Sequence, residues 1–285
     1  MWGIFSPIVL KTVVALVVEL IIIMVCYIQR LPEIAGQVMT QEQAMELSTE
    51  ITNQIYPYIT EITAFSALVT IPFLAIMINS DHKKEMKSGK LPRKKVPAWK
   101  YVYAAGIGIS FSLGLNNILI LSNLAEYSEA YQETAEILYS PSFPVQILCV
   151  GIIIPIMEEM IFRGLMYRRM RQNVSMMKAM VFTSLFFGFY HGNSVQFIFA
   201  CLSGFVLAYL YEKYGSLKAP VLGHMFINIV SCTLTEVDVF TWIFSNMTRM
   251  VIITASCAAI ASTMFIFVRK IEEKQEQCEE SEGQI

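Results

Sequence analysis

Val145-Gln146-Ile147-Leu148-Cys149-Val150-Gly151-Ile152-Ile153-Ile154-Pro155 runs directly into Ile156-Met157-Glu158-Glu159-Met160-Ile161-Phe162-Arg163-Gly164. The first half reads as membrane-spanning. The second half puts two adjacent carboxylates and an arginine at membrane depth. Each ionised group there costs roughly 2.5–3.5 kcal/mol on insertion scales unless it is paired or watered. The stretch therefore marks both a membrane fold and a functional site.

The rest of the chain has the same character. Of its 285 residues, 55% are hydrophobic and only 15% are charged. Its mean hydropathy is +0.53. Soluble domains carry about 25% charged residues, so the expected fold class is all-α, a polytopic transmembrane helix bundle of about eight spans. The net charge of −2 gives no footprint for nucleic acid. Cys26, Cys149, Cys201, Cys232, Cys257 and Cys278 are scattered without a CxxC pair and read as packing residues.

Outward from the glutamates, the spans fall near residues 5–28, 57–79, 100–122, 143–168, 178–191, 195–211, 220–233 and 250–268. The first lacks a small-residue cleavage site and reads as a retained anchor. It carries Lys11 and Glu19 near one helical face. Lys11 reads as snorkelling toward the headgroups, with Glu19 as a structural partner. Lys83, Lys84, Lys87, Lys90, Arg93, Lys94, Lys95 and Lys100 form one basic end; Arg168, Arg169 and Arg171, and then Lys213 and Lys218, form others. Glu33, Glu42, Glu46 and Glu50, and then Glu126, Glu129, Glu133 and Glu136, mark acidic segments. By the positive-inside rule the basic ends and both termini are cytoplasmic, in the plasma membrane. Short loops suggest a bacterial source. The expected divisions are residues 1–140 for three N-terminal spans, 141–235 for a catalytic core, and 236–285 for the last span and a polar tail.

Three histidines occur. His82 sits in the basic loop and reads as a solvated surface residue, whereas His191 and His224 fall in membrane segments, where histidine is rare. Glu159 and Arg163 are four apart, acid first, the favourable order for a helical ion pair. Glu158 points about 100° away on the same helix and is left free to act as a general base. His224 and Asn228 are likewise four apart and face one spot, where a neutral imidazole and an amide can each donate to an oxyanion. Alternatively, Glu158, His191 and His224 form a two-histidine, one-carboxylate set adequate for a divalent metal such as zinc.

Glu158-Glu159-x-x-x-Arg163, Phe187-x-x-x-His191 and His224-x-x-x-Asn228, in this order, resemble the three motifs of the CPBP intramembrane protease family. That family includes type II CAAX prenyl endopeptidases and bacterial relatives linked to bacteriocin self-immunity. The resemblance covers roughly residues 143–235. It implies peptide-bond hydrolysis in a cavity open to the cytoplasmic side, with a metalloprotease or a glutamate-only mechanism. The residue at Glu158 would activate water, assisted by His191. His224 and Asn228 would stabilise the oxyanion, and Glu159, Arg163 and Phe187 would support the site. The expected partners are the lipid bilayer and a protein or peptide substrate, a lipidated one included, with no nucleic acid. The alternatives are a non-enzymatic immunity or peptide-binding protein on the same scaffold, a proton-coupled transporter, or a structural subunit.

Overall fold

A computed structural model describes residues 2–34, 39–88, 96–122 and 128–282. Lys90, Arg93, Lys94 and Lys95 of the basic loop and Glu126 of the acidic loop lie outside the described residues, as do the side chains of Glu33 and Cys278. Among the described residues there is no strand.

The first helices are α1 (Trp2–Ile34), α2 (Gln41–Ile55) and α3 (Ile59–Lys87). Thr40 opens α2 with a reciprocal cap: its hydroxyl accepts from Gln43 N at 3.3 Å, and its own N donates to Gln43 Oε1 at 2.9 Å. The acidic segment after the first span is thus partly helical. A tight turn at Tyr56–Tyr58, centred on Pro57, separates α2 from α3.

Next come α4 (Val102–Leu121) and the short amphipathic α5 (Glu129–Tyr139), capped by Ser128. The long helix α6 (Phe143–Arg171) follows. It is not uniform. Ile147–Ile153 and Met160–Tyr167 are π-helical, and the α-helical turn Ile154–Glu159 between them carries both glutamates. π-Helical turns are rare and concentrate at functional sites.

Helices α7 (Met176–Tyr190) and α8 (Ser194–Tyr214) form a hairpin. Its turn contains Gly192 at φ 79°, a backbone conformation that glycine adopts without penalty. Then follow α9 (Lys218–Glu236), α10 (Val239–Phe244) and α11 (Met247–Glu282).

Gly3–Pro32, Gln41–Lys87, Ala98–Leu121, Phe143–Arg171, Ser194–Tyr214 and Met247–Ile271 are long and apolar enough to cross a membrane. The other two expected spans are helices as well, but differ. Helix α7 has only 15 residues, about 22 Å at 1.5 Å per residue. Helix α9 is long enough at 19 residues, but the polar side chains of His224, Asn228, Ser231 and Thr233 lower its apolar character.

Helix α4 packs between α9 and α11. Polar side chains join these helices: Ser112 Oγ donates to Ile227 O at 2.9 Å, Asn116 Nδ2 to Ser231 Oγ at 3.1 Å, and Asn117 Nδ2 to Thr254 Oγ1 at 3.0 Å. At the basic end, Arg169 pairs with Asp81 at 2.6 Å and Arg168 with Glu85, which ties α6 to α3. His82 is exposed, as expected of a surface residue, and borders that cluster with Nδ1 3.1 Å from Arg168 Nη2.

Candidate active site

The single helical turn Ile154–Glu159 aims its two carboxylates in different directions. Glu159 is 0% exposed and pairs with Arg163, itself 1% exposed, at 2.5 Å. Arg163 also donates to Gly204 O of α8 at 3.0 Å, and its guanidinium lies 4.6 Å from the centre of the Phe187 ring. The i,i+4 pair expected from sequence is therefore present, and it fastens α6 to α7 and α8. Among the described residues, Glu159 Oε2 and Arg163 Nε are buried without a hydrogen-bond partner.

His224 sits between the two carboxylates. Its Nδ1 is 2.8 Å from Glu159 Oε1, and its Nε2 is 3.7 Å from Glu158 Oε2. A carboxylate only accepts, so the Glu159 contact places a proton on Nδ1. The neutral ring then has a bare Nε2. This differs from the expected neutral oxyanion donor: His224 can donate from Nε2 only when both its nitrogens carry protons.

His191 follows the last turn of α7. Its Nδ1 is 2.8 Å from Phe187 O. A carbonyl only accepts, so Nδ1 holds the proton and Nε2 is the acceptor. The Phe187 ring packs edge-on against both imidazoles, with centroids at 4.8 Å to His191 and 5.7 Å to His224. Phe187 thus fixes both rings.

Asn228, one turn after His224, donates from Nδ2 to Val150 O at 2.9 Å. Val150 belongs to the first π-helical stretch. The amide keeps a second N–H.

Glu158, His191, His224 and Asn228 line one cavity of about 360 Å³. Its wall is made by the C-terminal part of α4, α5, the first half of α6, the end of α7, the first half of α8 and α9 from His224 to Cys232, with Lys11 of α1 and Thr63 of α3. The space extends toward the acidic segment, whose helix α5 contributes Tyr131 and Tyr139 to the wall. Burial pushes the Tyr139 hydroxyl up to about 12, so that wall presents a protonated phenol at neutral pH.

Lys11 also lines the cavity. Instead of snorkelling to the headgroups, its Nζ lies 5.0 Å over the centre of the Tyr190 ring. Sequence reading missed this role. The available signal was a lysine deep in an otherwise apolar span.

Among the described residues no three His, Cys, Asp or Glu side chains form a group able to hold a metal ion. The side chains stand apart as placed, with His224 Nε2 3.7 Å from Glu158 Oε2, but their chemistry fits a divalent ion: Glu158 and the bare Nε2 atoms of His191 and His224 would hold it, with Phe187 O and Glu159 orienting the two rings through Nδ1.

Residues 140–230 match the family described as type II CAAX prenyl endopeptidase, Rce1-like. The chain is also similar to a Bacillus subtilis (strain 168) protein named "Putative membrane peptidase YdiL", 27% identical over 85 residues. That match covers 30% of this chain and 35% of the relative, so it spans about a third of the relative's length. No solved structure matches. The segment that matches the family model, residues 140–230, contains Glu158, His191, His224 and Asn228.

Proposed function

We propose that this protein is an intramembrane endopeptidase that hydrolyses a peptide bond of a membrane-associated protein or peptide, a lipidated one included. The observation that carries this reading is the shared cavity. Three separate helices turn Glu158, His191, His224 and Asn228 onto one cavity surface, within a segment that matches a protease family.

A water held between the Glu158 carboxylate and the bare Nε2 of His191 has two acceptors and is polarised for attack. Glu158 takes its proton as the water oxygen bonds to the substrate carbonyl carbon. The carbonyl oxygen becomes an oxyanion, and the second N–H of Asn228 is the donor available to it. Collapse breaks the C–N bond, and Glu158 returns the proton to the leaving amine. His224 is anchored by Glu159 through Nδ1, and Phe187 keeps both imidazoles edge-on. Each proton and bond is accounted for with side chains of this chain.

The reading also places the protein in a plasma membrane with the basic helix ends and both termini in the cytoplasm. In that orientation the cavity extends toward the opposite side, so the substrate approaches from there or laterally from the bilayer.

The test compares peptide termini by mass spectrometry in cells carrying wild type and Glu158→Ala at equal protein levels. New termini present only with wild type are expected, and they name the substrate class. Identical termini with an unchanged phenotype would favour a peptide-binding or immunity protein built on the same scaffold.

A further inference from the structure

We infer that Lys11 forms an anion subsite of this cavity, which docks a carboxylate of the peptide substrate while Glu158 faces the scissile bond. The inference rests on the peptidase reading above and adds a substrate class to it.

Helix α1 is peripheral to the bundle. Most of its large side chains, among them Val9, Val13, Leu16 and Val17, are exposed to the surroundings of the bundle. On the inward side Ile4, Phe5, Ile8 and Leu10 pack against the core, and Lys11 reaches into the same space as Glu158. A cation at membrane depth is costly unless something answers its charge. Among the described residues no hydrogen bond or ion pair holds the Lys11 ammonium. Its neighbours are the face of Tyr190 at 5.0 Å and, through space, the charges of Glu158 and Glu19. Glu158 acts on the ammonium through space without closing an ion pair with it. The aromatic face accommodates the cation and leaves its N–H donors open to the cavity. A positive charge with open donors in a largely apolar cavity selects a ligand with negative oxygen acceptors, and a carboxylate is the form in which a peptide carries them.

Arg163 does not compete for this role. It is fully buried and held by Glu159 and Gly204 O. Apart from Glu158 and the two histidines, the polar groups on the cavity wall are amides and hydroxyls, among them Asn116, Gln196, Asn228, Tyr131, Tyr139 and Tyr190. Among the described lining residues, Lys11 is thus the lysine or arginine that meets the bound peptide. The carboxylate has two sources, a C-terminal α-carboxylate or an acidic side chain.

The experiment uses the full chain in phospholipid nanodiscs. The probes are two pools of short randomised peptides that differ only in ending in a free acid or an amide. Products are read by mass spectrometry for wild type, Lys11→Met and Lys11→Arg. If the α-carboxylate is the ligand, wild type cleaves the acid pool over the amide pool by about ten-fold, the scale of one charge-assisted contact. That ratio falls to about one in Lys11→Met and survives in Lys11→Arg. If an acidic side chain is the ligand, both pools are cut alike, and Asp or Glu is enriched at one fixed distance from the cut in wild type but not in Lys11→Met. The readout is a selectivity within one protein sample, so loss of folded protein does not imitate it. Wild-type selectivity retained in Lys11→Met overturns the subsite.

If wild type cuts neither pool, the peptidase reading fails separately, and binding decides the subsite. The same pools, carrying a neutral fluorophore, are titrated onto Glu158→Gln and onto Glu158→Gln with Lys11→Met. Carboxylate-dependent binding lost with Lys11 supports the subsite. Equal binding by the two proteins overturns it.

Discussion

His224 and Glu159 share a hydrogen bond of 2.8 Å across two helices, on the same carboxylate oxygen to which Arg163 donates. One oxygen thus joins α6 to α9 and, through Arg163, to α8. Breaking a buried ion pair from one side leaves an uncompensated charge. Arg163→Met is expected to lower stability by about 3–5 kcal/mol. Glu159→Gln is expected to act in the same direction. The double variant should recover much of the loss, because neither charge remains. Thermal unfolding in detergent checks this, and simple additivity of the two single losses would contradict it.

Glu158 has no such structural tie beyond its 3.7 Å approach to His224. Glu158→Gln keeps the shape and removes the base. Cleavage should fall by about 10²–10⁴ while the unfolding temperature and yield stay at wild-type values. His191→Ala should lower cleavage in the same direction. Rate assays and size-exclusion profiles on the same preparations separate the two effects.

For Asn228, the amide that donates to Val150 O is also the one with a spare N–H in the cavity. Asn228→Ala should lower kcat by about 10²–10³, as loss of an oxyanion donor does, with KM little changed. A rise in KM at constant kcat would instead assign Asn228 to substrate binding.

Gly108 tests how closely α4 and α9 must approach to hold His224 in place. A Cβ at Gly108 would lie 2.4 Å from Gly223 O, a backbone atom that cannot swing aside. Gly108→Ala should destabilise by about 1–3 kcal/mol and lower activity with it. Gly114→Ala, whose Cβ would lie 3.4 Å from Cys257 Cβ, is the matched control and should be near neutral. Paired melting curves decide between them.

Much of this was legible in the sequence, for local reasons. Apolar runs bounded by charge locate the helices. Glu158, His191, His224 and Asn228 stand out because each is polar where its neighbours are not. The Glu159–Arg163 pair is legible because both partners lie on one helix, where spacing alone sets the distance. What spacing does not reach is the contact between helices. The His224–Glu159 bond, the donation from Asn228 to Val150 O and the turn of Lys11 over Tyr190 all depend on how separate helices are rotated against one another. The direction in which the cavity extends depends on where α5 settles, and its short amphipathic sequence does not specify a neighbour. The π-helical stretches are invisible to a periodicity that assumes a constant turn.

Those stretches also bear on how the segment tolerates changes in length. A π-helical turn arises when an α-helix absorbs one extra residue while both flanks keep their packing. Deleting one residue within Ile147–Ile153 would return that stretch to ordinary winding and leave Glu158 aimed as before, at the expense of the contact from Val150 O to Asn228. Deleting one residue within Ile154–Glu159 has no such slack to draw on and would rotate a glutamate by about 100°. Insertions and deletions among homologous chains should therefore collect on either side of the two glutamates and spare the turn that holds them.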